Sequence, residues 1–358
     1  MLKNKIEKII LGKDKSLISW VVRLLLIPFT ALYIAGLWAF LYIYKCGFRK
    51  QYKLETPVIS VGNLTFGGTG KTPIVQTIAK LLQNSGRKVV VLSRGHGGKA
   101  KSSVVVSNGS DITASLSSSG DEPMLLAKSL PGIPVFVGKD RRQSGRLAEE
   151  LFKPDIILLD DGMQYWQLYR DINITVLDAK NPIGSGFVMP AGDLREPIRG
   201  LARADIVIIN KRDSKVDSTK VELPNLYDAK VFKSRIIPID LKRVSDNIEI
   251  SFDSIKGKKI TAFCGIGNPD AFFDMLEEFG ANLVSKTAFA DHHAYNQADL
   301  QQIKQFQSDM IITTEKDFVK LADWQAIYDK LYVLRIRAEI EDIKGFEEYI
   351  TNRINTKN

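Results

Sequence analysis

The segment Gly62-Asn63-Leu64-Thr65-Phe66-Gly67-Gly68-Thr69-Gly70-Lys71-Thr72-Pro73 constrains this chain more than any other. It follows a short apolar run (Val58, Ile59, Val61) and leads into a helical pattern through Ile74, Val75, Ile78, Ala79, Leu81 and Leu82. A glycine-rich turn between strand and helix that ends in Gly-Lys-Thr cradles a triphosphate. Backbone N–H groups and the helix N-terminus face the anion, Lys71 reaches the β- and γ-phosphates, and the Thr72 hydroxyl is placed to ligate Mg²⁺. Thr65 stands five residues before Gly70, where such loops carry their first glycine. Gly67 and Gly68 keep the turn permissive, which makes this a variant P-loop.

Around that turn the pattern alternates between strand and helix. Apolar runs occur at 57–61, 88–92, 133–137, 155–159, 172–177 and 204–209, with helical patterns between several of them. Such alternation predicts a largely parallel sheet covered on both faces, with ligands at the carboxyl ends of its strands. Residues 98–120 are Ser-rich and hold one short β-branched run, 104–106, read as a small hairpin or mobile loop. The pattern turns irregular from about 215 to 255, which is read as a connector. A second αβ unit follows, with strands at 259–263, 310–313 and 331–336 and helices at 271–279 and 298–307. The tail, 351–358, is expected to fray.

Charge is unevenly spread. The net charge of the 358 residues is +9, yet residues 1–55 hold ten basic against three acidic residues, which leaves only +2 for the remainder. A nearly neutral body argues against a nucleic-acid surface. The basic segment encloses an uncharged run at 24–44, 21 residues long, which as a helix would extend about 31 Å. Pro28 and Gly36 are expected to interrupt it. With basic flanks on both sides, an interfacial helix and a bilayer span both fit, and a buried core helix has the same composition. No small-residue cleavage site of a signal peptide follows. Cys46 and Cys264, the two cysteines, suggest neither a disulfide framework nor a thiolate metal site, as suits a reducing compartment.

Other residues carry chemical potential. Asp155-Ile156-Ile157-Leu158-Leu159-Asp160-Asp161-Gly162 runs from apolar strand into paired aspartates, which suit Mg²⁺ beside a P-loop or a plain turn. Asp121 and Glu122 open a helical pattern, where acids also simply favour the dipole. The three histidines are His96 and the pair His292-His293, the latter beside Asp291. A His next to Asp serves as a general base or as a capped turn. Arg94, Arg141, Arg142 and Arg195 lie near the expected strand ends. Asn210-Lys211-Arg212-Asp213 has the N-K-x-D form by which GTPases read guanine, so a membrane-associated P-loop GTPase or metallochaperone is the alternative reading. A clear D-x-x-G element followed by switch chemistry is missing from the sequence.

Taken together these segments closely resemble the tetraacyldisaccharide 4'-kinase (lipid A 4'-kinase) family, from the hydrophobic N-terminus to about residue 320. The motifs in order are Val61-Gly62-Asn63 through Thr72-Pro73, Ser93-Arg94-Gly95-His96-Gly97, Gly120-Asp121-Glu122-Pro123, Asp160-Asp161-Gly162-Met163-Gln164, Gly192-Asp193-Leu194-Arg195-Glu196-Pro197, Asp291-His292-His293 and Thr313-Thr314-Glu315-Lys316-Asp317. The resemblance implies a P-loop NTPase-type α/β fold with a smaller C-terminal αβ subdomain and an N-terminal membrane-associated helix. It divides the chain into an anchoring segment (1–55), a P-loop kinase core (56–215), a connector (216–255) and a subdomain (256–350) that completes the site. It implies transfer of the γ-phosphate of ATP, with Mg²⁺, to the 4'-hydroxyl of a tetraacylated disaccharide 1-phosphate on the cytoplasmic face of the bacterial inner membrane. The implied nucleotide site is Asn63, Gly67, Gly68, Thr69, Gly70, Lys71, Thr72 and Arg94. Thr72, Glu122, Asp160 and Asp161 would serve the metal, Asp121 with His292 and Lys71 would be catalytic, and Arg195 and Glu196 would lie near the lipid headgroup. Partners are the lipid A disaccharide precursor and the membrane surface; no obligate protein partner is evident. His96 stands where the family commonly has Tyr, and Met163 and Tyr165 where Phe and His are commoner.

Overall fold

The computed structural model describes residues 9–12, 14, 16–100, 102–211 and 228–356. Its strands, in chain order, are β1 (Val58–Gly62), β2 (Val89–Ser93), β3 (Val104–Ser107), β4 (Val135–Val137), β5 (Ile156–Asp160), β6 (Ile172–Asp178), β7 (Ile206–Lys211), β8 (Lys230–Arg243), β9 (Glu249–Ile250), β10 (Lys259–Cys264), β11 (Asn282–Ala288), β12 (Met310–Thr314) and β13 (Leu331–Ile340). They form one sheet in the order β11-β10-β12-β13-β8-β7-β6-β1-β5-β2-β4-β3, with β9 on β8. β1, β2 and β5 are buried along their whole length. Their unbroken Val/Ile/Leu runs are what a parallel sheet covered on both faces requires. The run at 104–106 becomes an edge strand, β3, antiparallel to β4.

Two parallel sets meet at β8. Its first residues pair parallel with β7, from Ile206↔Lys230 to Lys211↔Arg235. It then continues beyond the end of β7 and pairs antiparallel with β13, from Ile340↔Ser234 to Tyr332↔Arg243. β12 and β10 follow in parallel with β13. The second set therefore runs back towards the first, and the carboxyl ends of both sets face each other. The expected connector at 216–255 is thus corrected over 230–243, where a 14-residue strand spans both sets. Its Lys/Arg content and Pro238 hid it from the sequence pattern. Pro238 sits next to a register shift, where the ladder does not need its N–H.

The N-terminal helix Leu17–Lys45 is also longer than expected and passes unbroken through Pro28 and Gly36. One face docks on the sheet domain: Thr30 Oγ1 donates to the Val188 carbonyl (3.3 Å) and the Tyr33 hydroxyl to the Arg195 carbonyl (2.7 Å). Trp20 meets Phe187 near one end, and Tyr44 meets Trp166 near the other. Leu24, Leu25, Leu32 and Trp38 are more than half exposed.

The tail does not fray as expected. Helix Ile343–Asn355 buries Phe346, Ile350 and Ile354, spaced four apart on one stripe, and Arg353 pairs with Asp205. Phe346 packs edge-on against Phe232 of β8, with ring centroids 5.1 Å apart, so this helix covers the first set of strands. Phe346→Ala is expected to destabilise the protein by about 3–5 kcal/mol. Urea unfolding in detergent micelles measures this; a loss under about 1 kcal/mol would show that the helix is peripheral.

Candidate active site

A cavity of about 1060 Å³ opens between the two carboxyl edges. Its floor is the P-loop. Helix Lys71–Asn84 begins after Gly70, which takes the left-handed conformation (φ 80°) and makes no side-chain cap. The first-turn N–H groups are consequently available to an anion. Thr65, the departure from the usual glycine, has a structural reason. It bridges Leu194 in antiparallel fashion, Phe66 N donates to the Asp193 carbonyl, and Arg195 N donates to the Leu64 carbonyl (both 2.7 Å). A β-branched residue suits that extended pairing, and the pairing delivers Arg195 to the cavity.

β5 lies beside β1 with Asp160 level with Val61, so both aspartates emerge next to the P-loop. Their surroundings make them different. Asp161, with a positive φ of 52°, accepts both of its bonds from Arg195 Nη1 at 2.8 Å and lies 3.4 Å from Lys71 Nζ. Burial opposes its ionisation, but Lys71 and Arg195 outweigh burial and hold its pKa below the ordinary carboxylate range. Asp160 is 3% exposed, and Ser93 Oγ donates to it at 2.9 Å. Burial, then the charges of Glu122 and Asp161, push its pKa up to about 7 against the pull of Lys71.

The opposite wall comes from the second set of strands. The loop after β10 is fixed by buried Asp317, which accepts from Gly265 N (2.9 Å) and Thr314 Oγ1 (2.7 Å) and pairs with Lys320 at 3.0 Å. A Cβ on Gly267 would lie 3.5 Å from Gly68 N, so this loop comes down on the P-loop. The loop after β11 carries His292, whose Nδ1 lies 2.8 Å from Asp121 Oδ2 across the two sets. His292 also has a positive φ, 60°. A non-glycine residue in that region is uncommon and is concentrated at functional sites. Gly120 lets helix Asp121–Ser129 start hard against the His96 loop, since a Cβ there would sit 2.5 Å from the His96 carbonyl. The carboxyl of Asp121 is only 10% exposed. Burial raises its pKa, but the bond from His292 and the charges of His292 and Lys316 bring it below the ordinary value.

Gly67, Gly68, Thr69, Gly70, Lys71, Thr72, Arg94, Glu122, Asp160, Asp161, Arg195 and His292 all line the cavity, as does Arg141. Four expected site residues do not. Asp121 is buried and reaches the lining through its bond to His292. Asn63 is buried beneath the loop, where it donates to the Thr65 carbonyl (2.8 Å) and accepts from Lys71 Nζ (2.9 Å). Glu196 is buried and engaged by Arg203 (2.6 Å) and Gln164 (2.8 Å), and the arginine neighbour Arg142 is tied to Asp140. In sequence, a polar residue that braces a loop looks the same as one that faces a ligand.

The N-K-x-D reading is likewise corrected. Asn210 is fully buried; its amide donates to the Thr69 carbonyl (3.0 Å) and accepts from Ser234 Oγ (2.9 Å), so neither end is free to read a base. Arg212 and Asp213 lie outside the described residues.

The profile of the tetraacyldisaccharide-1-P 4'-kinase family matches residues 22–355. The chain belongs to this family. The tetraacyldisaccharide 4'-kinase of Syntrophus aciditrophicus is 42% identical over 317 residues, spanning 84% of this chain and 85% of that protein. The enzyme of the same name from Pelobacter propionicus is 39% identical over 347 residues, spanning 95% and 93%. A crystal structure of the "apo" form of LpxK from Aquifex aeolicus in complex with ATP matches with a TM-score of 0.77 at 32% identity, over 93% of this chain and 99% of that one. In this kinase fold, two departures from the family pattern fall in the cavity wall. The His96 ring lies 5.8 Å from that of His292, and Tyr165 lies under the Arg141 guanidinium at 4.0 Å. Met163 is instead a core residue packed under Gly62. Lys316, in the Thr313–Asp317 segment, reaches both Asp291 and His292, a role that no local pattern signals.

Thr72, Glu122 and Asp160 offer only oxygen donors, as a hard divalent cation requires. Among the described residues no three His, Cys, Asp or Glu side chains converge as a metal site by themselves. Asp161 is already engaged by Lys71 and Arg195, whereas Asp160 accepts from Ser93 Oγ. A carboxyl with a pKa of about 7 must ionise to take the cation. Mg²⁺ affinity is therefore expected to tighten as pH rises from about 6 to 8, with proton release on binding. Calorimetry in two buffers of different ionisation enthalpy reads that proton; no release at pH 6.5 would remove Asp160 from the site.

Proposed function

We propose that this chain is a membrane-associated kinase that transfers the γ-phosphate of ATP to the 4'-hydroxyl of a tetraacyldisaccharide 1-phosphate. Membership of the family supports the reaction, and the ATP held by the related Aquifex aeolicus protein supports the donor. One observation of the site carries the chemistry: the 2.8 Å Asp121–His292 bond joins the two sets of strands, and His292 lines the same cavity as the P-loop.

The P-loop N–H groups bind the phosphates, and Lys71, steadied by Asn63, faces the β- and γ-phosphates. Mg²⁺, when bound by Thr72, Glu122 and Asp160, would neutralise charge on the phosphates and lower the barrier to their displacement. Asp121 accepts the proton of the 4'-hydroxyl, with His292 fixing the carboxylate through its Nδ1. The sugar oxygen forms the new bond to the γ-phosphorus as the bond to the ADP oxygen breaks, and the departing electron pair stays with ADP. Arg94 and Arg141, both in the cavity wall, add positive charge about the transferring group.

The acceptor arrives from lipid. Tyr33 of the N-terminal helix lines the cavity and holds the Arg195 carbonyl, so the acyl-chain surface and the headgroup site adjoin. Contacts at both Trp20 and Tyr44 keep the helix along the protein body, which favours an interfacial helix with its exposed leucines in the cytoplasmic leaflet of the inner membrane.

ATP-dependent phosphorylation of the disaccharide lipid in detergent micelles tests the activity. Asp121→Ala and Lys71→Ala are each expected to lose at least about 100-fold in kcat. Undiminished turnover in either variant sinks the assignment, and a strong preference for GTP without lipid transfer favours the alternative. For the topology, an N-terminal tag is expected to be cut by protease on the same side of sealed vesicles as the catalytic unit. Protection of the tag with the unit accessible would show a span.

A further inference from the structure

Lys316 follows the end of β12 and sends its ammonium across to the Asp121–His292 pair. Its Nζ lies 3.0 Å from Asp291 Oδ1, 3.3 Å from His292 Nε2 and 3.8 Å from Glu122 Oε1. Its side chain is 20% exposed. We propose that Lys316 is a positioning residue, whose N–H group donates to His292 Nε2 and so holds the imidazole in the tautomer that presents Nδ1–H to Asp121. This rests on Asp121 and His292 being the proton-handling pair described above.

The argument is one of donors and acceptors. An ammonium has three donors and no acceptor, whereas a neutral imidazole has one of each. With Lys316 at Nε2 and a carboxylate at Nδ1, only one neutral tautomer satisfies both neighbours. The other would set N–H against ammonium and a lone pair against carboxylate, and the doubly protonated ring would set N–H against ammonium as well. The groups facing the ring are Asp121 from the helix after Gly120, Asp291 from its own loop, Lys316 from the end of β12, and the His96 ring from the loop after β2. Lys320 adds charge at longer range to Asp121. The charge of Lys316 is matched by Asp291 and Glu122, so its effect on the ring is chiefly directional.

The consequence is that the imidazole is held with Nδ1–H on Asp121 and its lone pair on Lys316. The bond to Asp121 raises the pKa of His292 above the ordinary histidine value, and burial and the Lys316 charge oppose that rise. Without Lys316 the ring gains its second proton more readily.

Ring-¹⁵N histidine labelling of the full chain in micelles reads this directly, because the chain holds only three histidines. His96→Gln and His293→Gln assign the signals. In the unaltered protein at pH 7, His292 is expected to show protonated Nδ1 and bare Nε2. In Lys316→Met, Nε2 is expected to be protonated, and the acid limb of the kcat profile to move up by about one pH unit. Activity is expected to recover at high pH, with KM for ATP within about threefold. Lys316→Arg, which keeps charge and donors, is expected to restore the tautomer. Should Lys316→Met fail to fold, Lys316→Gln, a neutral donor, is expected to keep the tautomer with a smaller upward limb shift. An unchanged ring-¹⁵N pattern and acid limb in these variants would overturn the inference, even if Asp121→Ala is inactive. Full activity in Asp121→Ala would instead overturn the proton-handling pair itself.

Discussion

The antiparallel pairing of β8 with β13 sets the geometry on which everything else depends. Parallel strands place ligands at their carboxyl ends, and a single parallel set offers one such edge. Because β8 runs on past Lys211 and β13 returns alongside it, a second parallel set turns its carboxyl edge towards the first. The P-loop and the aspartates of β5 occupy one edge; the Gly265–Gly267 turn, His292 and Lys316 occupy the other. Bonds between them, Asp121 to His292 and Lys316 to Glu122, exist only because the two edges face each other.

Within that cleft the charges are already paired. Lys71 and Arg195 share Asp161, Lys316 bridges Asp291 and Glu122, and Asp160 is left buried among carboxylates with a raised pKa. A carboxyl so strongly perturbed inside a cleft is characteristic of a functional site. The left-handed backbone at Asp161 and His292 belongs to the same arrangement, since it aims two side chains that an ordinary turn would direct elsewhere.

The N-terminal helix is tied to the cavity by a short path. Tyr33 bonds the carbonyl of Arg195, and Arg195 grips Asp161 beside Lys71. The extended stretch that pairs Thr65 with Leu194 supports Arg195 from below.

Local chemistry made much of this legible. The P-loop, the apolar β5 that ends in two aspartates, and the long uncharged run near the N-terminus each carry their signal within a dozen or two residues, through backbone freedom, burial and length. By itself the sequence determined the phosphate site, the parallel sheet around it and the apolar face beside it. It did not distinguish Asn63, Glu196 and Asn210, which brace the site from within, from residues that face a ligand, because that depends on which neighbours surround a side chain. Nor could it show β8, whose polar, Pro-containing strand is stabilised by two partners far away in the chain. The tertiary structure alone decided that residues 171 positions apart, Asp121 and His292, share a hydrogen bond. Such a contact depends on two sheet edges meeting, and no local pattern of residues records it.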